Sequence, residues 1–315
     1  MASAFDDADQ RLSKASAIGF QYTTDLASAP YPMNTITVLI VTVVLILPIG
    51  LYAWRGVDRR SDRREAERLL ATQTDAPLLY TKSMVKDLPD PARRYFNFAI
   101  KEGTPLYTVA EISMRGRFAM GNKASPNYCP MTAQQVLAAP EGSVWKMSSG
   151  GGAIRVSGSD SARWTRFWLA EVLPVARAGG TEDHALSGCG RYVSEAIFWT
   201  PAAVLPLENV VWEGIDANTA RMTINHNGKR QSVDLSVDPD GRPFEVTLQR
   251  WSNANPAKEY RFQPFGGCLS EFRTFSGFQL PTHVEAGNMF GTDDYFPFFI
   301  ADVSDVRFGL PNRPS

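Results

Sequence analysis

Glu195 is the residue whose setting most invites chemistry. It is the one charge between Ser194 and Glu208, in a run that holds Ala196, Ile197, Phe198, Trp199, Ala202, Ala203, Val204 and Leu205. On a helix it falls within one turn of Tyr192 and Trp199. A carboxyl desolvated by such neighbours is a usable general acid. The other account is a carboxylate that pairs with an arginine from the sheet or caps a backbone group, because buried acids are normally paired. Both accounts stay open at the level of sequence.

The remaining reactive groups are sparse. The three histidines are His184, His226 and His283, and none stands three or four residues from another. His226 falls in a hairpin turn and is expected to be solvated, and His283 shares a strand face with Glu285 as a surface pair. His184 and Cys189 are the one His–Cys proximity, but a Cys–His nucleophile needs contact in space and a third, orienting group. The three cysteines, Cys129, Cys189 and Cys268, are widely spaced and read as three buried thiols. They form no disulfide framework and no metal pattern. Asp293–Asp294 and Asp302/Asp305 are acidic pairs without the oxygen ligands of a calcium loop. The "SSGGGA" run at 148–153 lacks the GK[ST] of a phosphate loop and reads as a flexible turn. No HExxH, GxSxG, GxGxxG or CxxC is present, so neither cofactor nor metal is expected.

Before any of these residues stands a membrane element. Thr35 to Trp54 carries no charge, and twenty residues at the helical rise span about 30 Å, a bilayer's hydrocarbon core. Tyr52 and Trp54 fall where interfacial aromatics belong. The expectation is one spanning helix over 33–55, following a disordered tail over 1–32 that is untranslated if Met33 is the start. Residues 55–68 carry six arginines against four acids, whereas only Arg11 and Lys14 precede the span. The positive-inside rule then places the C-terminal region in the cytoplasm of a single-pass cell-membrane protein. Residues 56–77 read as a charged helical stalk facing lipid headgroups, and no basic, aromatic-interleaved surface suggests nucleic acid.

From Leu78 to Phe308 the pattern is that of a single β-rich domain, with a short tail over 309–315. Asp90–Pro91 opens a short amphipathic helix whose Tyr95, Phe98 and Ala99 share a face. Alternation at Ile112, Met114 and Phe118 gives a half-buried strand, and strands follow at 131–138 and 143–148. Residues 162–174, with Trp164 and Trp168 on one side, read either as a strand covered on both faces or as an aromatic lip on a cavity. Then come hairpins: Asn227–Gly228 and Asp240–Gly241 turn the chain between alternating strands, and more strands are expected to 308. Tight turns make neighbours antiparallel. The fold class is α+β, mainly antiparallel β: a strongly curved meander sheet, an open or half barrel. A short apolar helix over 191–206 covers its hollow.

"LPDPARRYFNFAI", "EAIFWTPAAVLP" followed by "VVWEGIDANTARMTI", and "FRTFSGFQLPTHVEA" resemble a bacterial family known only as a domain of unknown function, over roughly 78–308. Such members carry one N-terminal membrane helix and an arginine-rich stalk, and the family implies no catalytic residues. More distantly, the arrangement resembles the open barrels of lipoprotein-carrier proteins, at the level of fold. The expected role is therefore a membrane-tethered, non-enzymatic domain that binds a lipid or other hydrophobic small molecule, or serves as an envelope-associated scaffold. Tyr192, Glu195, Phe198, Trp199, Trp164 and Trp168 would line the ligand site. The alternative is an enzyme with Glu195 as its acid. Nothing in the sequence names a protein partner.

Overall fold

A computed structural model describes residues 33–150 and 155–309. The tail expected over 1–32, all but the first residue of the one expected over 309–315, and residues 151–153 of the glycine run lie outside the described residues. Met33–Leu70 form one helix, α1, with Pro48 inside it. It is long and apolar enough to cross a membrane. The chain divides between Leu47 and Pro48 into two compact units. The first contributes residues 33–47 of α1, whose described side chains are exposed. Everything that follows belongs to the second.

After α1 come α2 (Asp90–Ala99), β1 (Ala110–Ala119), β2 (Tyr128–Ala138), β3 (Gly142–Ser149), β4 (Val156–Ser161), β5 (Trp164–Leu169) and β6 (Leu173–Gly179). The helix α3 (Glu182–Trp199) then separates these strands from β7 (Val210–Gly214), β8 (Thr219–His226), β9 (Lys229–Val237), β10 (Pro243–Ser252), β11 (Arg261–Phe275), β12 (Phe278–Asn288) and β13 (Phe299–Phe308). The two meanders join because β13 returns to pair with β1, from Ala110↔Phe308 to Phe118↔Phe299. One antiparallel sheet of 13 strands results, in the order β6-β5-β4-β3-β2-β1-β13-β12-β11-β10-β9-β8-β7. The expected turn chemistry holds at Asn227 (φ 49) and Gly228 (φ 73), both left-handed as a two-residue hairpin requires.

Two expectations are corrected. The sheet is open, as expected, with β6 and β7 as its two edges, but it is not strongly curled. The covering helix is also neither short nor purely apolar: it begins at Glu182, not at residue 191. Thr181 caps it, its hydroxyl accepting from the His184 amide at 3.2 Å, with Glu182 and Asp183 in the first turn. Gly188 and Gly190 do not end it. They sit inside it where the helix presses on its surroundings, and a Cβ at Gly188 would stand 2.9 Å from the Ala162 Cα.

The core lies between α3, α2 and the sheet. Val193, Ala196, Ile197 and Val204 are fully buried, and Trp199 is 1% exposed with its indole N–H 3.4 Å from the Pro281 carbonyl. Phe198 stacks edge-on against Trp199 at 4.7 Å. α2 buries Ala92, Tyr95, Phe96 and Ala99, while Phe98 stays half-buried against Phe272. The Tyr95 hydroxyl donates to the Ile197 carbonyl, tying α2 to α3. The thiols do not share one environment: Cys189 is buried, Cys129 half-buried and Cys268 exposed on β11, since strand alternation turns every second residue outward. Truncating Trp199→Ala should cost about 3–5 kcal/mol by opening a cavity under α3; thermal or denaturant unfolding of the full chain in detergent checks it.

Candidate functional site

Two polar seams flank the β3–β6 end of the sheet, one on each face. Their separation follows from strand alternation on β4. Ser157, Ser159 and Ser161 point one way, Gly158 and Asp160 the other.

On the α3 face, Asp160 meets Arg191. The Arg191 guanidinium donates to Asp160 Oδ2 at 2.6 Å and to Glu195 Oε1 at 2.8 Å, with its carbon 5.0 Å from the Trp145 ring centre. The other Glu195 oxygen accepts from the Gln135 amide. Burial would lower the Arg191 pKa, but the charges of Glu195 and Asp160 outweigh it and push it up. Arg250 lies close by, bonded to the Ser187 carbonyl at 3.2 Å, and burial together with the Arg191 charge pushes its pKa down to about 10. His184 stands at the edge of this network, 3.1 Å from Thr165 Oγ1, while Thr165 donates to Asp160. Two buried polar atoms on the floor, Gln135 Oε1 and Trp145 Nε1, have no protein partner. They belong to residues paired in register across β2 and β3.

Glu195 is therefore held by a cation one helical turn back and by a strand amide. The pairing arginine comes from its own helix, not from the sheet. A general acid must hand a proton to a substrate, and here both oxygens are engaged by the chain's own donors. Tyr192 lies on a neighbouring stripe of α3 with Cys189, and burial pushes the pKa of both upward. His184 contacts Thr165 and the Ala162 carbonyl rather than Cys189. His283 bonds Asp302 at 2.7 Å and Glu285 at 3.4 Å on the strand surface, and His226 bonds Asn227 at 2.7 Å. Asp305 approaches Arg307. Among the described residues no group of three His, Cys, Asp or Glu is set to hold a metal ion.

Trp164 and Trp168 are on the opposite face, so the six residues expected around one ligand divide between the two faces of the sheet. On that second face the partner is α1. Leu51, Arg55, Asp58, Asp62, Glu65 and Leu69 repeat every three or four residues, and every one is buried or, at Leu51, half-buried. Asp58, 2% exposed, accepts from Arg177 at 2.8 and 3.1 Å, from Arg166 at 3.3 Å and from the Trp168 indole at 2.9 Å. Asp62 accepts from Ser159 at 2.7 Å, and Ser159 in turn accepts from the Trp164 indole at 3.0 Å. Arg55 donates to Glu171 at 3.0 Å and to Ser157 at 3.3 Å. Trp54 meets Trp168 edge-on at 5.4 Å with the Arg177 guanidinium 4.4 Å from its ring centre. Leu69 closes the seam in a small apolar cluster with Val109, Val136, Ala138 and Val144. Composition alone suggested a charged stalk facing lipid headgroups; the 4-3-4-3-4 spacing of these residues was the signal for a buried face.

A groove of about 600 Å³ lies elsewhere, between Arg94, Phe98 and Lys101 on and after α2 and Thr274, Gly277 and Gln279 at the β11–β12 turn. Its walls are mixed polar and aromatic, unlike an apolar lipid cavity.

An open antiparallel sheet with packing helices defines an α+β domain preceded by one long apolar helix. The chain belongs to the family of unknown function DUF6544, matched over residues 79–300. No curated protein matches the sequence. Among solved structures it is similar to a LolA superfamily protein from Nitrosomonas europaea, 13% identical over 70% of this chain and 94% of that one, at a TM-score of 0.33. It is also similar to a domain described as an outer membrane lipoprotein-sorting protein from Vibrio parahaemolyticus, 10% identical over 74% of this chain and 94% of that one, at a TM-score of 0.33. Overlaps this loose transfer no function.

The α1 seam has a pH signature. Burial would raise the Asp58 carboxyl, but the bonds from Arg177 and Trp168 and the charges of Arg177 and Arg166 outweigh it and hold it below its ordinary 3.8. Its stabilisation is present above 3.8 and lost as pH falls through the lower folded value. Burial dominates at Asp62 and raises its carboxyl despite the Ser159 bond. The ionised form therefore costs stability at neutral pH, and that cost disappears as pH falls through the raised value. Asp58→Ala should lose about 1–3 kcal/mol by leaving the buried Trp168 indole N–H and the half-buried Arg166 without their acceptor, whereas Asp62→Asn should gain stability at pH 7 and match the parent in acid. Melting curves across pH that show the same sign for both variants would contradict this assignment.

Proposed function

We propose that this chain is a single-pass membrane protein in which Thr35–Trp54 crosses the bilayer and the sheet domain serves as a non-enzymatic scaffold held at the membrane surface. The observation that carries the reading is the buried charged face of α1. Its first arginine, Arg55, directly follows the apolar run and is already bonded to the sheet through Glu171. A flexible tether needs no such face. A helix clamped from Leu51 to Leu69 fixes the sheet to the segment that directly follows the apolar run.

The arginine distribution supports a cytoplasmic domain, since six arginines follow the run and only Arg11 and Lys14 precede it. The pairing of Arg55 with Glu171 does not weaken this argument, because acids contribute little to the orientation bias.

A second reading, a lipid or other apolar ligand with one polar group, has the unpartnered Gln135 Oε1 and Trp145 Nε1 in its favour. Tyr192, Phe198 and Trp199 would line its apolar part once α3 lifted. Trp164 and Trp168 would take no part, being on the α1 face. The enzyme alternative asks Arg191 and Gln135 to release Glu195 first.

The test is a C-terminal fusion to alkaline phosphatase or to green fluorescent protein, expressed in bacteria and fractionated. The expected result is a carbonate-resistant membrane protein that is fluorescent and phosphatase-inactive. An active phosphatase would put the domain outside, and release by carbonate would remove the span.

A further inference from the structure

The turn between β5 and β6 carries a feature that neither the tether nor the core explains. β6 is an edge strand, and edge strands in water are normally guarded by charge. This one reads "LPVARAG", with a single arginine, and exposes Leu173 at 54% and Val175 at 50%. Val172, in the turn itself, is 38% exposed. Ala170 and Glu171 both adopt left-handed backbone, φ 51 and 62, a conformation that costs energy for residues other than glycine. What holds Glu171 there is its carboxylate: it accepts from Arg55 at 3.0 Å, from Arg59 at 2.8 Å and from Ser157 at 2.5 Å.

These contacts fix where the turn lies along α1. The β5–β6 hairpin runs beside the helix, with Arg163 near Glu65 at the far end, Trp168 at Asp58 and Glu171 at Arg55. Its tip is thus level with the first residues after the apolar run, where Trp54 and Arg55 mark an interface by residue type. Val172 and Leu173 follow Glu171 directly, so they stand within about two Cα steps of that level. The neighbouring charges are basic: Arg59, Arg155 and Arg177 are exposed, the last with its guanidinium over the Trp54 ring.

We propose that the β5–β6 turn is a second membrane contact, with Val172 and Leu173 inserted at the boundary between headgroups and acyl chains and the adjacent arginines on lipid phosphates. The occupant of this surface is the bilayer that holds the chain's own span, so the inference rests on the tether reading. Insertion at this depth is shallow, about 5–10 Å, and leaves the β6 edge groups within reach of interfacial water. With helix and hairpin both in contact, the domain is fixed in orientation as well as in height.

The experiment uses the full chain in vesicles of phosphatidylethanolamine and phosphatidylglycerol doped with doxyl-labelled lipid. In a Cys129→Ser, Cys268→Ser background, an environment-sensitive fluorophore is attached at Leu173→Cys, at Ile46→Cys in the apolar run, or at Phe244→Cys on β10. Buried Cys189 stays out of reach. Strong quenching with a blue-shifted emission at positions 46 and 173, several-fold above position 244, is the expected result. Quenching at 46 with none at 173 beyond that at 244 overturns this inference and leaves the tether intact. No quenching at 46 overturns the tether and this inference together. A label at 173 shielded from both the lipid quencher and aqueous iodide would mean that a second chain covers β6, which also overturns it.

Discussion

The structure depends on one unusual constraint: a helix whose buried face is charged. An amphipathic helix ordinarily turns apolar residues inward. Here Arg55, Asp58, Asp62 and Glu65 point in, with Leu51 and Leu69 at the ends. Burying charge costs several kcal/mol per ion unless it is paired and fully bonded. The sheet meets that condition at Asp58, through Trp168 and Arg166 on β5 and Arg177 on β6; Asp62 takes one bond from Ser159 of β4, and one Arg55 guanidinium nitrogen is buried without a protein partner. Such pairs are exacting in geometry, and an apolar seam could slide where this one cannot. Its contribution is to register more than to net stability.

The same strands serve two seams because alternation separates their side chains. In "SGSDS" the serines face α1, and Asp160 faces Arg191 of α3. Gly158 is small for a reason of packing, since a Cβ there would meet the Phe167 ring at 2.6 Å. Each seam joins a tryptophan, an arginine and a carboxylate: Trp168, Arg177 and Asp58 on one side, Trp145, Arg191 and Glu195 on the other. On the α3 side this chemistry makes Glu195 a partner rather than a lone acid. The apolar part of α3 packs with α2 over the second meander, so the hydrophobic core and the polar seams occupy different regions of the sheet.

Much of the fold was legible because strands and turns declare themselves locally. Asn227–Gly228 and the alternation from Val233 to Leu248 need no long-range information. The family could likewise be read from segments spread over 78–308. What was not legible came from contacts between distant segments. Arg55 to Glu65 looked like a charged stalk facing lipid headgroups because net composition hides a face; only the spacing betrays it, and only if charged residues are allowed inward. The start of α3 was obscured by Gly188 and Gly190, present for close packing, although Thr181-Glu182-Asp183 carried a sound capping signal. That Trp164 and Trp168 face α1 while Trp199 faces the other side depends on pairing across the sheet. No local window contains that information.

The account stands on the claim that residues 55–69 are locked to the sheet. Hydrogen–deuterium exchange of the full chain in lipid vesicles measures this most directly, because a free charged helix outside the membrane frays and exchanges quickly. Amides of 55–69 should be as protected as those of β4 and β5, and should lose protection together with them in Asp58→Ala. Rapid exchange across 55–69 beside a protected sheet would contradict the account.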